Sequence, residues 1–307
     1  MDKNSRRFVH PMIVDTMKVY VAVVEQRNFS RAAELLHLSQ PGVSQHIRNL
    51  EQEFGVQLIH RSPKHVKLTE AGEILYKHAK EMIARYEAAR EDIGLLRDEV
   101  TGSLRIGASF TIGEYILPRI VASFARQYPS VDVQVTIANT EQIAQSVRAN
   151  ELDIGLVEGK IEYKDLQLGT PFMEDEMVLV VSPNHSFASM PTIEPSMLHD
   201  EVWVLREQGS GTRAYSDQFM SDLKLHIKRS YVFNSSQSVK EAVMAGLGIA
   251  MLSYWVIRKE QEHGELRLVH VKGKSVKRAF HILQDNNASA TMAMTMFIEQ
   301  VRHFKMR

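Results

Sequence analysis

The chain has 307 residues, no cysteine, and equal numbers of basic and acidic residues, 37 Lys and Arg against 37 Asp and Glu. This length accommodates two or three domains, and the missing cysteine excludes disulfides, thiol catalysis and thiol redox sensing. No stretch approaches the ~18 apolar residues of a membrane span, and no signal peptide is evident. We therefore expect a cytoplasmic protein without membrane contact.

The charges are unevenly distributed along the chain. Residues 1–68 contain ten Lys and Arg against six Asp and Glu, whereas residues 69–307 contain 27 against 31. A basic first part followed by an acidic remainder is expected when one domain contacts phosphates and another does not.

Two short helices around a tight turn are predicted within residues 28–55. Ser30 is expected to cap the first helix and Ser39 the second, and Gly55 ends the second helix. The second helix carries amide and guanidinium side chains opposite its apolar face, which are the groups that a recognition helix uses to read bases. From this helix we expect DNA contacts by Ser39, Gln40, Pro41, Ser44, Gln45 and Arg48.

A basic loop follows at residues 60–67, with three Lys or Arg and no carboxylate. Pro63 fits a turn between two short strands, which would form a wing along the DNA backbone or minor groove. Arg61, Lys64 and Lys67 are expected to hold phosphates. A solvated basic loop would explain this segment alone, but the helix pair, polar face and wing in series are typical of a DNA-binding domain.

A family resemblance rests on Arg31-Ala32-Ala33, residues 38–44, Leu50-Glu51, Arg61 and residues 68–72. These closely resemble the winged helix-turn-helix of LysR-type transcriptional regulators, with Gly42 and Ile59 standing where that family usually has Ala and Phe. The resemblance covers nearly the whole chain. It implies a sequence-specific regulator of double-stranded DNA, controlled by a small effector, that contacts RNA polymerase when it activates. The winged domain would span residues 14–68.

A linker helix is predicted over residues 69–99, with Thr69 as its cap. Apolar residues recur at heptad spacing, which favours a coiled-coil dimer interface. The alternative is an amphipathic helix packed on its own domain. The resemblance implies antiparallel pairing of two linker helices and dimers that associate into tetramers. The predicted seam consists of Leu75, Ala79, Met82, Tyr86, Ala89, Ile93 and Leu96.

Alternating strands and helices over residues 100–307 predict an α/β effector domain. Two lobes are expected, lobe I at residues 100–163 and 272–307 and lobe II at residues 164–271. The fold class is therefore mixed: an all-α winged helix-turn-helix domain and linker helix, then a two-lobed domain that resembles periplasmic binding proteins. A single helix is expected at residues 113–128, and the two crossovers between the lobes are expected near residues 163–168 and 271–277.

Four strand-to-helix junctions carry polar side chains. Backbone N–H groups at helix starts attract anions, and such junctions lie at the carboxyl ends of strands, where ligands bind. We expect an anion or carboxylate between the lobes, although helix capping explains any single junction, and Arg213 is a further charge partner or a surface residue. The predicted effector-binding residues are Ser109, Phe110, Thr111, Asn139, Thr140, Ser210, Gly211, Thr212, Ser235 and Ser236.

A narrower resemblance lies at residues 107–118 and 156–159. These segments resemble the effector domain of LysR-type regulators of sulfite reductase and other sulfur-assimilation genes. The resemblance implies a sulfur-pathway effector, such as acetylated serine or a sulfur oxyanion.

Other function classes receive less support. The chain has no GxSxG, P-loop or HExxH motif, and its 13 histidines are scattered. We expect no catalytic residue, no metal site and no cofactor. The remaining alternatives are a ligand-binding α/β protein without a regulatory role and an architectural DNA binder.

Overall fold

The computed structural model describes residues 13–61, 66–95, 100–159, 161, 163–286 and 290–305. The chain divides into two compact units, Met1–Leu96 and Arg97–Arg307. No helix in the described part of the chain has the length and apolar character needed to cross a membrane.

The N-terminal unit is helical with a two-stranded wing. Its elements are α1 (Ile13–Gln26), α2 (Phe29–Leu35), α3 (Gln40–Phe54), β1 (Ile59–Arg61), β2 (Val66–Leu68) and α4 (Glu70–Leu95). The wing strands pair antiparallel, with His60 opposite Lys67. One apolar cluster joins α1, α2, α3, the wing and the start of α4.

The helix caps explain the helix-turn-helix boundaries. Asn28, rather than Ser30, caps α2, and its side chain accepts hydrogen bonds from the first backbone N–H groups of the helix. The predicted cap at Ser30 is wrong because α2 begins at Phe29. Ser39 caps α3 as predicted, and Gly55 ends it in the left-handed conformation with φ 67°, which glycine adopts without strain.

The first turns of α4 belong to the core of the N-terminal unit. Leu75 and Ala79 are 8% and 0% exposed and lie in the cluster that contains α1 and α3. This burial contradicts their predicted place in a dimer seam, because their own chain already covers them. Met82 and Ile93 further along α4 are exposed. Of the other predicted seam residues, Ala89 is exposed, Tyr86 is half-buried, and Leu96 lies outside the described residues.

The C-terminal unit is a two-lobed α/β domain, which confirms the predicted fold class. Its first elements are β3 (Gly102–Ser109), α5 (Phe110–Tyr115), α6 (Leu117–Gln127), β4 (Val131–Ala138), α7 (Thr140–Arg148) and β5 (Ile154–Glu158). They are followed by β6 (Leu166–Val181), β7 (Thr192–Ile193), β8 (Val202–Arg206), α8 (Gly211–Asp222), β9 (Arg229–Phe233), α9 (Ser236–Met244) and β10 (Ala250–Ser253). The last are α10 (Tyr254–His263), β11 (Arg267–Val271), β12 (Val276–Asp285) and α11 (Met292–His303).

An eight-stranded sheet runs through both lobes in the order β4-β3-β5-β12-β6-β11-β7, with β10 also paired to β6. The long antiparallel strands β6 and β12 connect the lobes: the first part of β6 pairs with β12, and its end pairs with β10 and β11. The two expected crossovers are therefore present, but each continues into a long strand, β6 or β12, that extends beyond the expected segment.

The single helix predicted at residues 113–128 is two helices, α5 and α6, separated at Ile116. Pro118 explains the break, because its ring and its missing N–H prevent a helix from continuing through it. The break leaves α5 as a short separate helix directly after β3, with Thr111 in its first turn.

Close approach of two backbones at Gly72 supplies a test of the N-terminal packing. A Cβ on Gly72 would lie 2.1 Å from the carbonyl oxygen of Leu58, and the hydroxyl of Tyr20 donates to the carbonyl of Gly72 at 2.7 Å. We expect Gly72→Ala to lower the free energy of unfolding by about 1–3 kcal/mol through overpacking, measured by urea denaturation.

The matched control is Gly42→Ala, where the added Cβ would lie 3.2 Å from only the hydroxyl of Ser39. This variant should lose much less stability, because a small side chain can shift where a backbone carbonyl cannot. Equal losses in the two variants would contradict the packing described here.

Candidate functional sites

Helix α3 presents a continuous polar face. Gln40 donates to the hydroxyl of Ser44 at 3.0 Å, and Arg48 donates to the side-chain oxygen of Gln45 at 2.8 Å. Gln40, Gln45 and Arg48 are exposed, and Ser44 is half-buried. Ser39 and Pro41 at the start of the helix are exposed as well. The opposite face is buried in the core through Val43, Ile47 and Leu50, so the polar face points away from the domain.

The wing is held to α3 by a carboxylate. Glu51 accepts hydrogen bonds from the backbone N–H groups of Leu58 and Ile59, at 3.1 and 3.4 Å. Lys67 on β2 is exposed. The backbone of Arg61 pairs with that of Val66. The side chain of Arg61 and the whole of Lys64 lie outside the described residues.

In the effector domain, Arg278 on β12 is 3% exposed and bonds to side chains of both lobes. Its Nε donates to Asp175 Oδ2 at 2.6 Å, and its Nη2 donates to Thr111 Oγ1 at 3.0 Å. Its Nη1 donates to Thr212 Oγ1 at 3.0 Å and to Glu158 Oε1 at 3.4 Å. One guanidinium thus bonds to the starts of α5 and α8, two of the four predicted junctions.

Two buried carboxylates surround this single arginine. Glu158 and Asp175 are 2% and 4% exposed. The hydroxyl of Ser109 donates to Glu158, and the hydroxyl of Ser253 donates to Asp175 at 2.7 Å. With both carboxylates ionised, the three charged groups carry one excess negative charge. The two hydroxyls supply hydrogen bonds that the guanidinium alone does not.

Sequence reasoning missed Arg278 and Asp175. Both lie beyond the segments that were expected to be crossovers, and their hydrogen-bond partners in this cluster are all more than 60 positions away along the chain. The available sequence signal was the alternate spacing of Arg278, Phe280 and Ile282, which share one face of a strand.

The junction before α7 is occupied by structural bonds. Thr140 donates to the backbone carbonyl of Glu158 at 3.0 Å. Asn139 caps α7 in a capping box with Gln142, and its amide also donates to Glu207 of lobe II at 3.2 Å. Of these two predicted effector-binding residues, Thr140 therefore bonds within lobe I, and Asn139 bonds across to lobe II.

The polar side chains at the lobe II junctions either cap a helix or bond to Arg206. Ser210 and Ser235 cap α8 and α9 through their own side chains. Ser236 instead accepts a hydrogen bond from Arg206 at 2.8 Å. The guanidinium of Arg206 also lies 4.4 Å from the ring centroid of Phe110 in lobe I, a favourable cation–π distance.

Gly211 allows α8 to approach the end of β5. A Cβ on Gly211 would lie 2.6 Å from both Cγ and the carbonyl oxygen of Glu158. Arg213, the further charge candidate, pairs with Asp217 at 2.7 Å and donates to the carbonyl of Arg206 at 2.9 Å. Arg213 is thus engaged within lobe II.

Charged groups at the edge of the cleft have shifted pKa values. Burial tends to raise the pKa of Glu207, but hydrogen bonds from Arg206 outweigh it and hold that pKa below its ordinary value. Burial raises the pKa of Glu114, against the opposing charges of Arg206 and Lys240. Arg206 is therefore compensated by neighbouring carboxylates, as Arg278 is.

Two hydroxyls in the cleft have donor capacity that the described residues do not use. Thr111 and Thr212 are 1% and 2% exposed, and each side chain accepts a hydrogen bond from Arg278. A hydroxyl has one proton to donate besides its acceptor lone pairs. Among the described residues, neither side chain donates. The arrangement therefore suits a ligand that brings acceptors to both lobes.

Comparison with known proteins covers both units. The family described as "Bacterial regulatory helix-turn-helix protein, lysR family" matches residues 14–73, and the "LysR substrate binding domain" matches residues 97–305. The HTH-type transcriptional regulator CysL of Bacillus subtilis (strain 168) is 43% identical over 291 residues, covering 95% of this chain and 97% of CysL.

Two further likenesses span nearly the full length. A probable RuBisCO transcriptional regulator of Cyanidioschyzon merolae is 34% identical over 296 residues, covering 95% of this chain and 98% of that protein. A full-length OxyR variant from Pseudomonas aeruginosa superposes with a TM-score of 0.76 at 22% identity, covering 96% of each chain. The chain belongs to the LysR family of bacterial transcriptional regulators: it is a DNA-binding regulator with an effector-binding domain, and not an enzyme.

Proposed function

We propose that this regulator controls sulfur-assimilation genes in response to a small anion that binds between Thr111 and Thr212 beside Arg278. The unused hydroxyl donors of these two threonines are the observation that carries the anion site. Leaving a buried donor without an acceptor costs free energy, so a ligand that supplies the acceptors is stabilised there. The similarity to CysL supports sulfur or cysteine metabolism as the regulated pathway.

The position of the site explains how a ligand could act on the protein. Thr111 begins a lobe I helix and Thr212 a lobe II helix, so one anion accepting from both would favour a particular arrangement of the lobes. An effector shifts an equilibrium only by its difference in affinity for the two states. Contacts with both lobes provide that difference, and the shift would alter subunit arrangement and the bending of bound DNA.

For the DNA contacts, we infer that Gln40, Ser44, Gln45 and Arg48 of α3 read base edges in the major groove, while Arg61, Lys64 and Lys67 of the wing hold phosphates. A homodimer presents two such helices with two-fold symmetry. The exposed side chains of Met82, Ala89 and Ile93 on α4 supply apolar surface for that pairing. We further propose that the dimers associate into tetramers and that the protein contacts RNA polymerase when it activates transcription.

The effector site is tested by thermal unfolding against a panel of acetylated serines and sulfur oxyanions. A ligand that binds only the folded protein stabilises it by about 2.7 kcal/mol at 100 times its dissociation constant. We expect a selective increase in melting temperature that is lost in Thr111→Ala and in Thr212→Ala, since each variant removes one donor.

The matched control is Thr291→Ala, because Thr291 caps α11 by accepting from the backbone N–H of Met294 at 3.1 Å. This variant should melt earlier yet keep the ligand-induced increase. A shift that survives in both cleft variants would place the ligand elsewhere. No shift with any sulfur compound would contradict the sulfur assignment.

The DNA contacts are tested by comparing Arg48→Ala with Lys67→Ala in competition binding to operator variants at several salt concentrations. We expect Arg48→Ala to cost roughly 1–3 kcal/mol and to relax specificity at one base position. Lys67→Ala should weaken binding equally across sequences and reduce the slope of affinity against salt by about 1, as expected for one lost phosphate contact. If Arg48→Ala weakened binding equally across sequences and Lys67→Ala relaxed specificity, Arg48 would be the phosphate contact and Lys67 the base contact.

A further inference from the structure

The carboxylate of Glu158 receives the kind of bonds that the cleft would offer to an anionic ligand. Glu158 ends β5 and is 2% exposed. Its carboxylate accepts from the hydroxyl of Ser109 and from Arg278 Nη1 at 3.4 Å. Its side chain packs against Gly211, the first residue of the 12-residue helix α8. A hydroxyl and a guanidinium therefore already bond to this one carboxylate.

A second anion beside Arg278 would be poorly compensated. Arg278 already bonds to Glu158 and Asp175, so the buried group has one positive charge against two negative charges. Adding an anion with both carboxylates in place would bury further uncompensated charge, which is energetically unfavourable. One of the two carboxylates must therefore leave Arg278 when an anion binds.

The geometry identifies Glu158 as the carboxylate that leaves. Each carboxylate accepts from a hydroxyl, Asp175 from Ser253 and Glu158 from Ser109. Their bonds to the guanidinium differ: Asp175 accepts from Arg278 Nε at 2.6 Å, and Glu158 accepts from Arg278 Nη1 at 3.4 Å. Charge-assisted hydrogen bonds are stronger when they are shorter, near 2.7–2.9 Å. The same Nη1 also donates to Thr212 at 3.0 Å. Of the two bonds that Nη1 donates, the longer and weaker one therefore goes to Glu158.

We propose that Glu158 is an internal competitor for Arg278: an anionic effector displaces its carboxylate, and Glu158 thereby sets the affinity of the cleft for anions. The proposal rests on the anion site proposed above and adds the residue that opposes binding there. Removing the charge of Glu158 while keeping its size should therefore make the cleft bind anions more tightly.

The test is a calorimetric titration of the purified full-length protein with sodium sulfate at constant ionic strength. Glu158→Gln should bind sulfate at least about tenfold more tightly than the wild type, because a repelling charge beside the anion is removed. Glu158→Asp withdraws the carboxylate by one methylene and should give an affinity between the two. It also provides the test if Glu158→Gln does not fold. The gain should disappear in the double variant Glu158→Gln/Thr111→Ala.

Asp153→Asn is the matched control. Asp153 lies at the opposite end of the same strand and is likewise paired with an arginine, Arg105, at 2.5 Å. The two variants remove the same charge from the same lobe, but Asp153 is about 16 Å further along the strand. Sulfate affinity should stay within about twofold of the wild type in Asp153→Asn, because Coulomb energy falls with distance and Asp153 is already paired with Arg105.

Two results would overturn the proposal: no tighter binding of sulfate by the Glu158 variants, including no binding at all, or an equal gain in Asp153→Asn. The first would show that Glu158 does not oppose anions, and the second would make the effect one of overall charge. The proposed function fails by a different result: no compound of the sulfur panel raises the melting temperature of the wild-type protein in a way that Thr111→Ala abolishes.

Discussion

A buried guanidinium must be matched by acceptors, and the effector domain is arranged to satisfy that of Arg278. Its partners come from β5, β6 and the starts of α5 and α8, so the strand ends of both lobes converge on one side chain. Breaking such a group by removing one partner costs about 3–5 kcal/mol. Gly211 is part of the same arrangement, because a side chain there would push α8 away from Glu158.

In the N-terminal unit, hydrogen bonds to backbone groups join the elements, as the bonds of a buried charge do in the effector domain. Glu51 holds the wing to α3, and the bond between Tyr20 and Gly72 holds α4 to α1. The apolar face of α3 is thereby kept in the core, and its polar face remains exposed. Membership of the LysR family removes the two alternative classes, a ligand-binding protein without a regulatory role and an architectural DNA binder.

Local sequence signals predicted the helix-turn-helix well, because caps and glycine stops act within a few residues, as at Ser39 and Gly55. They also led to Thr111 and Thr212, which lie at helix starts. The same signal could not separate these two residues, which accept from Arg278, from Ser210 and Ser235, which cap their helices, since both groups present hydroxyls at helix starts. The pairing of Asp175 with Arg278 spans 103 positions along the chain, and a single sequence contains no local trace of it.

Bridging of Thr111 and Thr212 by an anion that displaces Glu158 would be visible in a crystal structure of the full-length protein with the sulfur compound that stabilises it most. We expect ligand oxygens within hydrogen-bond distance of both threonine hydroxyls, with the carboxylate of Glu158 moved off Arg278. A ligand bound away from these hydroxyls, or a Glu158 that still accepts from Arg278 and Ser109 beside the bound ligand, would contradict it.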